Sequence, residues 1–256
     1  MKRAWLLCVI LGWSLSLFSQ SKYPQLEKLV YRGYYNWGFI WIQAGWVEFS
    51  LTRSDKYPDA DKLVAMGGTL PSWDRFFTIR DTLVSHYDAR TFLPYEFSRK
   101  AHEGSYHKTF DYQFNYSDST VMGDVHRFGK YHRQDTIRLR PDTYDMLSVA
   151  WMARELDFDR YSKNDQIPVR ILIDSKIYDL YIRYLGVGKT KVSGRKWECY
   201  VFSPLLLEGD VFKGGENMKV WVSKDEYRLP LMVEAKILVG SVKAILDPAE
   251  SRLVEP

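Results

Sequence analysis

Apolar and polar residues alternate with a period of two along most of the chain. Successive side chains of a β-strand point to opposite faces, so this alternation predicts strands with one buried and one solvated face. The clearest stretch runs from Ser105 to Tyr116, where Lys108 is the one exception on the apolar face. The aromatic residues on that face are Tyr106, Phe110, Tyr112, Phe114 and Tyr116.

Similar alternating runs recur along the chain, separated by glycine-containing and other turn-forming pairs such as Gly67-Gly68 and Ser193-Gly194. The plentiful aromatic residues also favour strands, where bulky side chains pack well on a pleated surface. Strands spaced in this way, without intervening helices, are typical of antiparallel barrels and sandwiches. The sequence therefore predicts a mostly β protein, an antiparallel barrel or half-barrel.

One segment departs from this pattern and predicts a single principal α-helix near residues 143–156. Asp142 or Thr143 is expected to cap its start. Met146, Leu147, Ala150 and Trp151 share one side of that helix and would pack on the sheet. Its place near the middle of the chain allows either one β-rich domain over 21–256 or two β halves joined by the helix.

Two polar residues of the same segment admit two interpretations. Asp145 is expected to cap or pair locally, and Arg154 to bind a loop or a carboxylate. The alternative is that they form the polar rim of a pocket beside the helix.

The N-terminus has the layout of a secretory signal peptide over residues 1–20. Lys2 and Arg3 precede an apolar run from Ala4 to Phe18, and small polar residues follow at Ser19-Gln20-Ser21. We expect cleavage near Ser19 or Gln20, with a retained membrane anchor as the alternative. No second long apolar run follows, so the mature chain is expected to have no membrane-spanning segment.

Charge and cysteine content narrow the functional classes. The formal charge of +4 falls to +2 once Lys2 and Arg3 are removed, which gives no electrostatic case for nucleic-acid binding. Only Cys199 remains after processing, so an intramolecular disulfide is not expected. It lies in a strand-like run with no nearby base, which favours a buried thiol over a nucleophile.

Two further patterns resemble functional motifs. Gly188-Lys189-Thr190 matches the end of a phosphate-binding loop, but Arg183 stands where that motif needs glycine, so a hairpin turn is expected. His102 and His107 lie five positions apart and are expected on opposite strand faces, whereas His126 and His132 could meet across a hairpin. Without a clear carboxylate or cysteine partner these histidines predict no metal site, and no cofactor is expected.

Several short segments along the chain form a recognisable set. They are Trp37-Gly38 with Gly45, Arg99-Lys100 with 103–106, 144–148 with Arg154, 211–213, 218–223, Pro230-Leu231 and 239–242. In this order they resemble an exported bacterial family, domain-of-unknown-function family 3108. The resemblance implies a β-rich protein exported to the periplasm of Gram-negative bacteria, with secretion as the alternative. The family has no established activity, so the resemblance supplies no catalytic residue.

The remaining hypotheses concern the apolar face of the sheet. We expect Tyr106, Phe110, Tyr112 and Phe114 to line an apolar groove partly covered by the helix residues Leu147 and Trp151. Such a groove would make the protein a non-catalytic carrier for a lipid, acyl or glycan ligand. The alternatives are a filled barrel core in a structural partner of an envelope assembly, or an envelope hydrolase whose carboxylates or histidines are brought together by folding. An enzyme is the less favoured of these classes, and protein partners are not predicted.

Overall fold

The computed structural model describes residues 27–37, 39–208 and 213–252. The predicted signal peptide, residues 1–20, lies outside the described residues. The described chain is mostly β-structure with one α-helix, which confirms the fold class that the alternation predicted.

The first half of the chain is a run of strands joined by short connections. It contains β1 (Glu27–Trp37), β2 (Ile40–Arg53), β3 (Ala60–Thr69), β4 (Arg80–Asp88), β5 (Pro94–Glu103), β6 (Tyr106–Asn115), β7 (Thr120–Arg127) and β8 (Tyr131–Arg138). The short strand β9 (Thr143–Tyr144), the helix α1 (Ser148–Arg154) and a single 3₁₀ turn (Phe158–Arg160) come next.

The second half returns to strands. It contains β10 (Gln166–Ile173), β11 (Lys176–Val192), β12 (Arg195–Pro204), β13 (Leu206–Glu208), β14 (Lys213–Gly215), β15 (Met218–Ser223), β16 (Pro230–Lys236) and β17 (Ser241–Leu246). Only β13 and β14 stand apart, as a two-stranded sheet of their own.

Fifteen strands of the described chain form one continuous sheet in the order β8-β7-β6-β5-β4-β3-β2-β1-β17-β16-β15-β12-β11-β10-β9. The first and last strands, β1 and β17, pair at its centre, where Tyr31 lies opposite Leu246. Neighbouring strands are antiparallel except for β9 and β10. The two halves of the chain are therefore two meanders joined along one central pair of strands.

The sheet does not close into a barrel, because no strand pairing joins β8 to β9 in the described chain. Side chains nevertheless link the two halves near this opening. The phenol oxygen of Tyr112 on β6 accepts a hydrogen bond from the backbone N–H of Ser175, in the β10–β11 turn, at 2.8 Å. Arg133 on β8 donates to the Ser175 hydroxyl at 3.4 Å. The sheet therefore curls until its halves touch, as an open half-barrel.

The strand β6 has the two faces that its sequence predicts. Phe110, Tyr112 and Phe114 are buried, while the residues between them face solvent. Lys108, the exception on the apolar face, is buried with its Nζ atom 4.1 Å from the centroid of the Phe110 ring. The ammonium group thus packs against an aromatic face instead of breaking the strand.

The turn expected at Gly188-Lys189-Thr190 is wrong, because these residues lie inside the long strand β11. Gly188 is paired with Cys199 on β12, and the chain reverses only at Ser193-Gly194. A register shift beside Gly186, whose φ is 94°, accommodates the bend within this strand. A positive φ favours glycine, so the glycine-containing run supports a bulge and not a reversal.

The helix is found where it was predicted but is shorter than the predicted span of 143–156. Thr143 and Tyr144 pair with Arg170 and Ile171 as β9, so this part of the segment is extended. The expected cap at Asp142 or Thr143 is therefore wrong: Thr143 donates to the Arg140 carbonyl instead. In the described residues, no helix is long and apolar enough to cross a lipid bilayer.

A buried ion pair fixes the end of α1 to the centre of the sheet. Arg154 donates from its two terminal nitrogens to the two carboxylate oxygens of Glu27 on β1, at 2.7 and 2.8 Å. The same guanidinium also donates to the carbonyls of Tyr227 and Arg228 in the β15–β16 connection. This confirms the expectation that Arg154 binds a carboxylate and a loop. The pair is strongly oriented because it is bidentate and because water is excluded from both side chains.

We expect Arg154→Met to lower the free energy of unfolding by about 3–5 kcal/mol, because Glu27 would remain as an unpaired buried charge. Urea denaturation of the purified protein measures this loss. The double variant Glu27→Gln/Arg154→Met should lose less than the sum of the two single variants, since it removes both charges.

The matched control is Arg140→Met, which breaks the solvent-exposed pair with Asp179 at 2.7 Å. That change should cost about 0–1 kcal/mol. Equal losses for the Arg154 and Arg140 variants would show that the buried pair does not anchor the helix.

Candidate functional site

Two adjoining apolar cavities lie on the side of the sheet that faces α1. The first, the helix cavity, has a volume of about 430 Å³ and lies between α1 and the strands of the second half, with β1 and β2 contributing Tyr31, Val47 and Phe49. The second, the hairpin cavity, has a volume of about 520 Å³ and lies against β1 to β4 and β15 to β17. Close-packed protein interiors contain few voids larger than a water molecule, so spaces of this size are distinctive features of the fold.

The wall of the helix cavity is mainly aliphatic. The helix segment contributes Met146, Val149, Ala150, Trp151, Ala153 and Arg154. The sheet contributes alternate residues of neighbouring strands, among them Val169, Ile171, Leu180, Ile182, Val220 and Val222. Because side chains alternate between faces along a strand, these positions put a row of branched aliphatic groups opposite the helix.

The hairpin cavity owes its space to glycines on three adjacent strands. Gly33 on β1 lies opposite Gly45 on β2, and Gly67 and Gly68 follow on β3. The turn expected at Gly67-Gly68 is therefore wrong, because both residues lie inside a strand. A Cβ atom added at Gly45 would lie 2.6 Å from the carbonyl oxygen of Gly68, which is too close for any other residue. Glycine therefore allows the backbones to approach each other here, and it leaves no side chain to fill the space above them.

Five residues line both cavities and make them neighbours along one apolar surface. They are Val47, Phe49, Met218, Val233 and Ala244. Val233 and Ala244 are directly opposite each other on β16 and β17, at the centre of this shared wall.

The polar groups of the helix cavity are few. Arg154 is engaged by Glu27, and the Tyr31 hydroxyl donates to the Pro230 carbonyl at 2.7 Å. Burial raises the pKa of the Tyr31 phenol, so this group stays neutral and hydrogen-bonded. The indole N–H of buried Trp151 has no acceptor among the described residues. A buried donor without an acceptor costs about 1–3 kcal/mol.

Asp145 holds the segment that leads into the helix. One of its carboxylate oxygens accepts the backbone N–H groups of Leu147 and Ser148, at 2.7 and 2.9 Å. The other accepts the hydroxyl of Ser85 on β4 at 2.5 Å, and Ser148 in turn accepts the Asp145 backbone N–H. Asp145 thus caps the helix locally, as expected, and also ties it to the first half of the sheet. Burial raises the pKa of this carboxyl from 3.8 to about 6, while the hydrogen bonds lower it.

The predicted ligand-binding residues fall into two groups, those that line a cavity and those that do not. Trp151 lines the helix cavity, and Leu147 lines the hairpin cavity. The aromatic residues of β6 line neither cavity. Phe110, Tyr112 and Phe114 are buried in the core cluster that also contains the two helix-segment residues. Tyr106 is half-buried nearer the end of the strand. The role of the β6 aromatic row in binding stays a prediction, and the open space lies elsewhere along the same concave surface.

Four of the five histidines form two cross-strand pairs. His102 and His107 lie on β5 and β6 as direct partners with ring centroids 3.8 Å apart, so the expectation of opposite faces is wrong. The reason is the turn at Gly104, which makes them neighbours on two strands instead of residues on one. His126 and His132 do meet across the β7–β8 hairpin, as predicted. Within the described chain no group of three or more metal-ligating side chains occurs.

Cys199 is fully buried on β12. Burial raises the pKa of its thiol to about 11, so the thiolate that a nucleophile requires is disfavoured. The structure places it in the core, as its strand-like surroundings predicted.

Most of the cavity wall was not selected from the sequence, although a signal was present. Leu180 and Ile182 belong to an alternating run on β11 that the pattern identifies as an apolar strand face. Val220 and Val222 flank Trp221 in the same manner. Alternation identifies such faces but does not say which of them remains uncovered, since that depends on where the helix lies.

The fold and the apolar surface define an open antiparallel half-barrel with one short helix on its concave side. The chain belongs to the family described as "Protein of unknown function (DUF3108)", whose profile matches residues 30–247. This confirms the family resemblance drawn from the sequence motifs.

A solved structure shares this architecture. The crystal structure of a β-barrel-like protein of domain of unknown function DUF1849 from Brucella abortus superposes with a TM-score of 0.59 and 7% sequence identity. The match covers 91% of this chain and 99% of that chain. At this identity the similarity establishes a common fold and nothing about activity. No curated protein matches the chain.

The shifted pKa of Asp145 predicts a pH-dependent contribution to stability. The carboxyl binds its proton more tightly in the folded state than at the ordinary value of 3.8, so stability from this group is greatest at low pH. It should fall by about 3 kcal/mol as the pH rises through the interval between 3.8 and about 6. Urea denaturation at several pH values measures the unfolding free energy, with Asp145→Asn as the reference variant.

In that reference variant the side-chain carbonyl can still accept the two helix N–H groups, but the group no longer titrates. The difference in unfolding free energy between parent and variant should therefore change over this interval, because other titrating groups cancel. A difference that stays constant with pH would show that the Asp145 pKa is not raised.

Phe110→Ala tests the position of the β6 aromatic row. Because Phe110 is buried in the core cluster, we expect a loss of about 3–5 kcal/mol in unfolding free energy, with unchanged affinity for a fluorescent fatty acyl probe. Met122→Ala, at an exposed position of β7, is the control and should cost little. A small stability loss together with reduced probe uptake would instead place Phe110 at a binding surface.

Proposed function

We propose that the protein is a non-catalytic binding or carrier protein, exported to the cell envelope, that holds an apolar or amphipathic ligand between α1 and the sheet. The observation that carries this proposal is the pair of adjoining apolar cavities with the shared wall around Val233 and Ala244. Each volume falls within the range of about 300–1,000 Å³ that is usual for ligand sites.

The chemistry of the walls favours an acyl chain over a glycan. Apolar residues make up most of both linings. Branched aliphatic side chains and methionines are the commonest in the helix cavity, whereas glycine and alanine are frequent in the hairpin cavity. Such walls suit hydrocarbon and offer few hydrogen-bond partners to sugar hydroxyls.

The position of the helix supports the same proposal. Its seven residues cover only part of the concave face, and they are held at one end by Asp145 and at the other by Arg154. A ligand could therefore occupy the space beside the helix without displacing the groups that anchor it.

The periplasm remains the proposed location, with secretion as the alternative. It is supported by the layout of residues 1–20 and by the resemblance to an exported family. The hydrolase alternative lacks a specific supporting observation: the buried carboxyl of Asp145 is committed to the helix start, and the Cys199 thiol is enclosed.

The proposal is tested by filling the shared wall. Val233→Trp should weaken binding of a fluorescent fatty acyl probe by roughly tenfold or more, because the larger side chain occupies space common to both cavities. The probe is titrated into the purified protein and the thermal midpoint is recorded in parallel.

Val187→Trp is the matched control, since it makes the same substitution at an exposed position of β11 that lines neither cavity. It should leave probe affinity unchanged. The proposal fails if the parent protein binds no probe, or if the Val233 variant is folded and binds it as the parent does.

A further inference from the structure

We propose that one end of the half-barrel docks on the surface of an anionic phospholipid bilayer. The docking surface, called here the rim patch, is formed by Phe39, Ile40, Phe76, Phe77, Leu238 and Val239. This surface is separate from the cavity walls, so it can be tested independently of ligand binding.

The rim patch is strongly exposed. Phe39 is fully accessible, and Val239 and Phe76 expose 73% and 71% of their surface. Single exposed apolar residues are ordinary on proteins, but a group of aromatic and aliphatic side chains at one end of a molecule usually serves an interaction.

Contacts between the three chain segments bring these residues to the same end of the sheet. The Tyr35 hydroxyl, next to the β1–β2 hairpin tip, donates to the Val239 carbonyl at 3.2 Å in the β16–β17 turn. On the other side of that hairpin, the Trp73 indole donates to the Gln43 carbonyl at 3.1 Å. The tips of two hairpins and the β3–β4 connection are therefore adjacent.

The charges around the rim patch favour an anionic surface. The chain from Tyr34 to Trp46, which contains the hairpin tip, has no charged residue. The nearby acids are already paired: Asp74 with Arg80 at 2.6 Å, and Glu234 with Lys243 at 3.1 Å. Arg75 and Lys236, by contrast, are exposed and form no ion pair with any described residue.

The cations also lie beside aromatic rings. The guanidinium of Arg75 lies 4.9 Å from the centroid of Phe76, and Lys243 Nζ lies 4.3 Å from that of Trp41. Long basic side chains flanking aromatic and aliphatic groups are typical of the boundary between lipid headgroups and acyl chains. Phosphate groups would meet the cations Arg75 and Lys236, unpaired within the described chain, while the apolar tips enter the acyl boundary.

The backbone of the two hairpins suits a bilayer surface as well. Ile40 pairs with Trp37, Lys236 pairs with Ser241, and Ile237 donates to the Gly240 carbonyl at 3.2 Å. Hairpin tips bonded internally can enter a poorly hydrated region at small cost, because few backbone groups lose a water partner.

The rim patch also lies next to the hairpin cavity. Tyr35, Ile79 and Val242 line that cavity, and each lies within a few residues of one of the three exposed segments. Docking through the rim patch would therefore present this cavity to the membrane surface.

The test is flotation of the purified protein with vesicles made of equal parts phosphatidylcholine and phosphatidylglycerol. The parent should bind, and Phe39→Ser/Val239→Ser should reduce the bound fraction roughly tenfold because two inserting side chains are lost. Met122→Ser/Val187→Ser changes two exposed apolar residues elsewhere in the sheet and should bind as the parent does. All variants carry the same residues 1–26, so a difference in vesicle binding between two variants arises from the substituted positions.

A second pair of variants tests the charge. Arg75→Glu/Lys236→Glu should abolish the preference for anionic over pure phosphatidylcholine vesicles, whereas the same reversal at exposed Arg138 and Lys196 should not.

Equal binding by parent and rim variants, or no binding by the parent, would overturn the proposal. A third result would also overturn it: sedimentation analysis that finds the parent protein as a dimer and Phe39→Ser/Val239→Ser as a monomer. The rim patch would then be an interface between two copies of the chain. Acyl-probe affinity measured without vesicles should be the same in parent and rim variants, which separates this proposal from the proposed carrier function.

Discussion

The ion pair between Arg154 and Glu27 is the interaction on which the arrangement of helix and sheet depends. It joins the last residue of α1 to the first residue of β1, and the same guanidinium holds the β15–β16 connection. Glu27 begins the strand that lies at the centre of the sheet order. The buried guanidinium of Arg154 thus joins the helix to the first meander through β1 and to the second through the β15–β16 connection. All of these hydrogen bonds form only when both meanders are in place.

The cavities follow from the size of the element that this pair positions. A helix of seven residues is about 10 Å long, whereas the sheet that it faces contains fifteen strands in the described chain. The helix cannot cover all the apolar side chains on the concave face. The sheet compensates in part by curling until β6 and the β10–β11 turn meet. The open space lies elsewhere on the concave face, beside α1 and against the central strands.

The sequence predicted the strands well because their signal is local. On β6, the alternation of Phe110, Tyr112 and Phe114 with polar residues is enough to assign both the strand and its buried face. The helix was located correctly for the same reason. Its start was misplaced because Thr143 and Tyr144 are held by a partner strand, and pairing with Arg170 and Ile171 cannot be read from neighbouring residues.

The candidate site was harder to predict, since a cavity is an absence of packing between distant segments. The large aromatic residues of β6 suggested a groove, but large side chains also fill space. The open regions instead lie beside smaller residues such as Gly45, Ala244 and Val233, whose contribution becomes visible only in three dimensions. The histidine pair His102 and His107 illustrates the same difficulty. Five positions along a single strand would put them on opposite faces, whereas the turn at Gly104 makes them direct partners on two strands.

The pairing of β1 with β17 has a consequence for the order in which the chain assembles. Among the described strands, the first, β1, occupies the middle of the sheet, and its second neighbour is the last of them, β17. Until β17 arrives, the exposed edge of β1 is an unpaired template on which other chains could align. Contacts of such long sequence separation also form slowly, because a large loop must close first. A nascent chain with this topology stays vulnerable to aggregation until β17 has been made. A factor that shields the β1 edge during that interval would therefore benefit this protein more than a protein whose strands pair in sequence order.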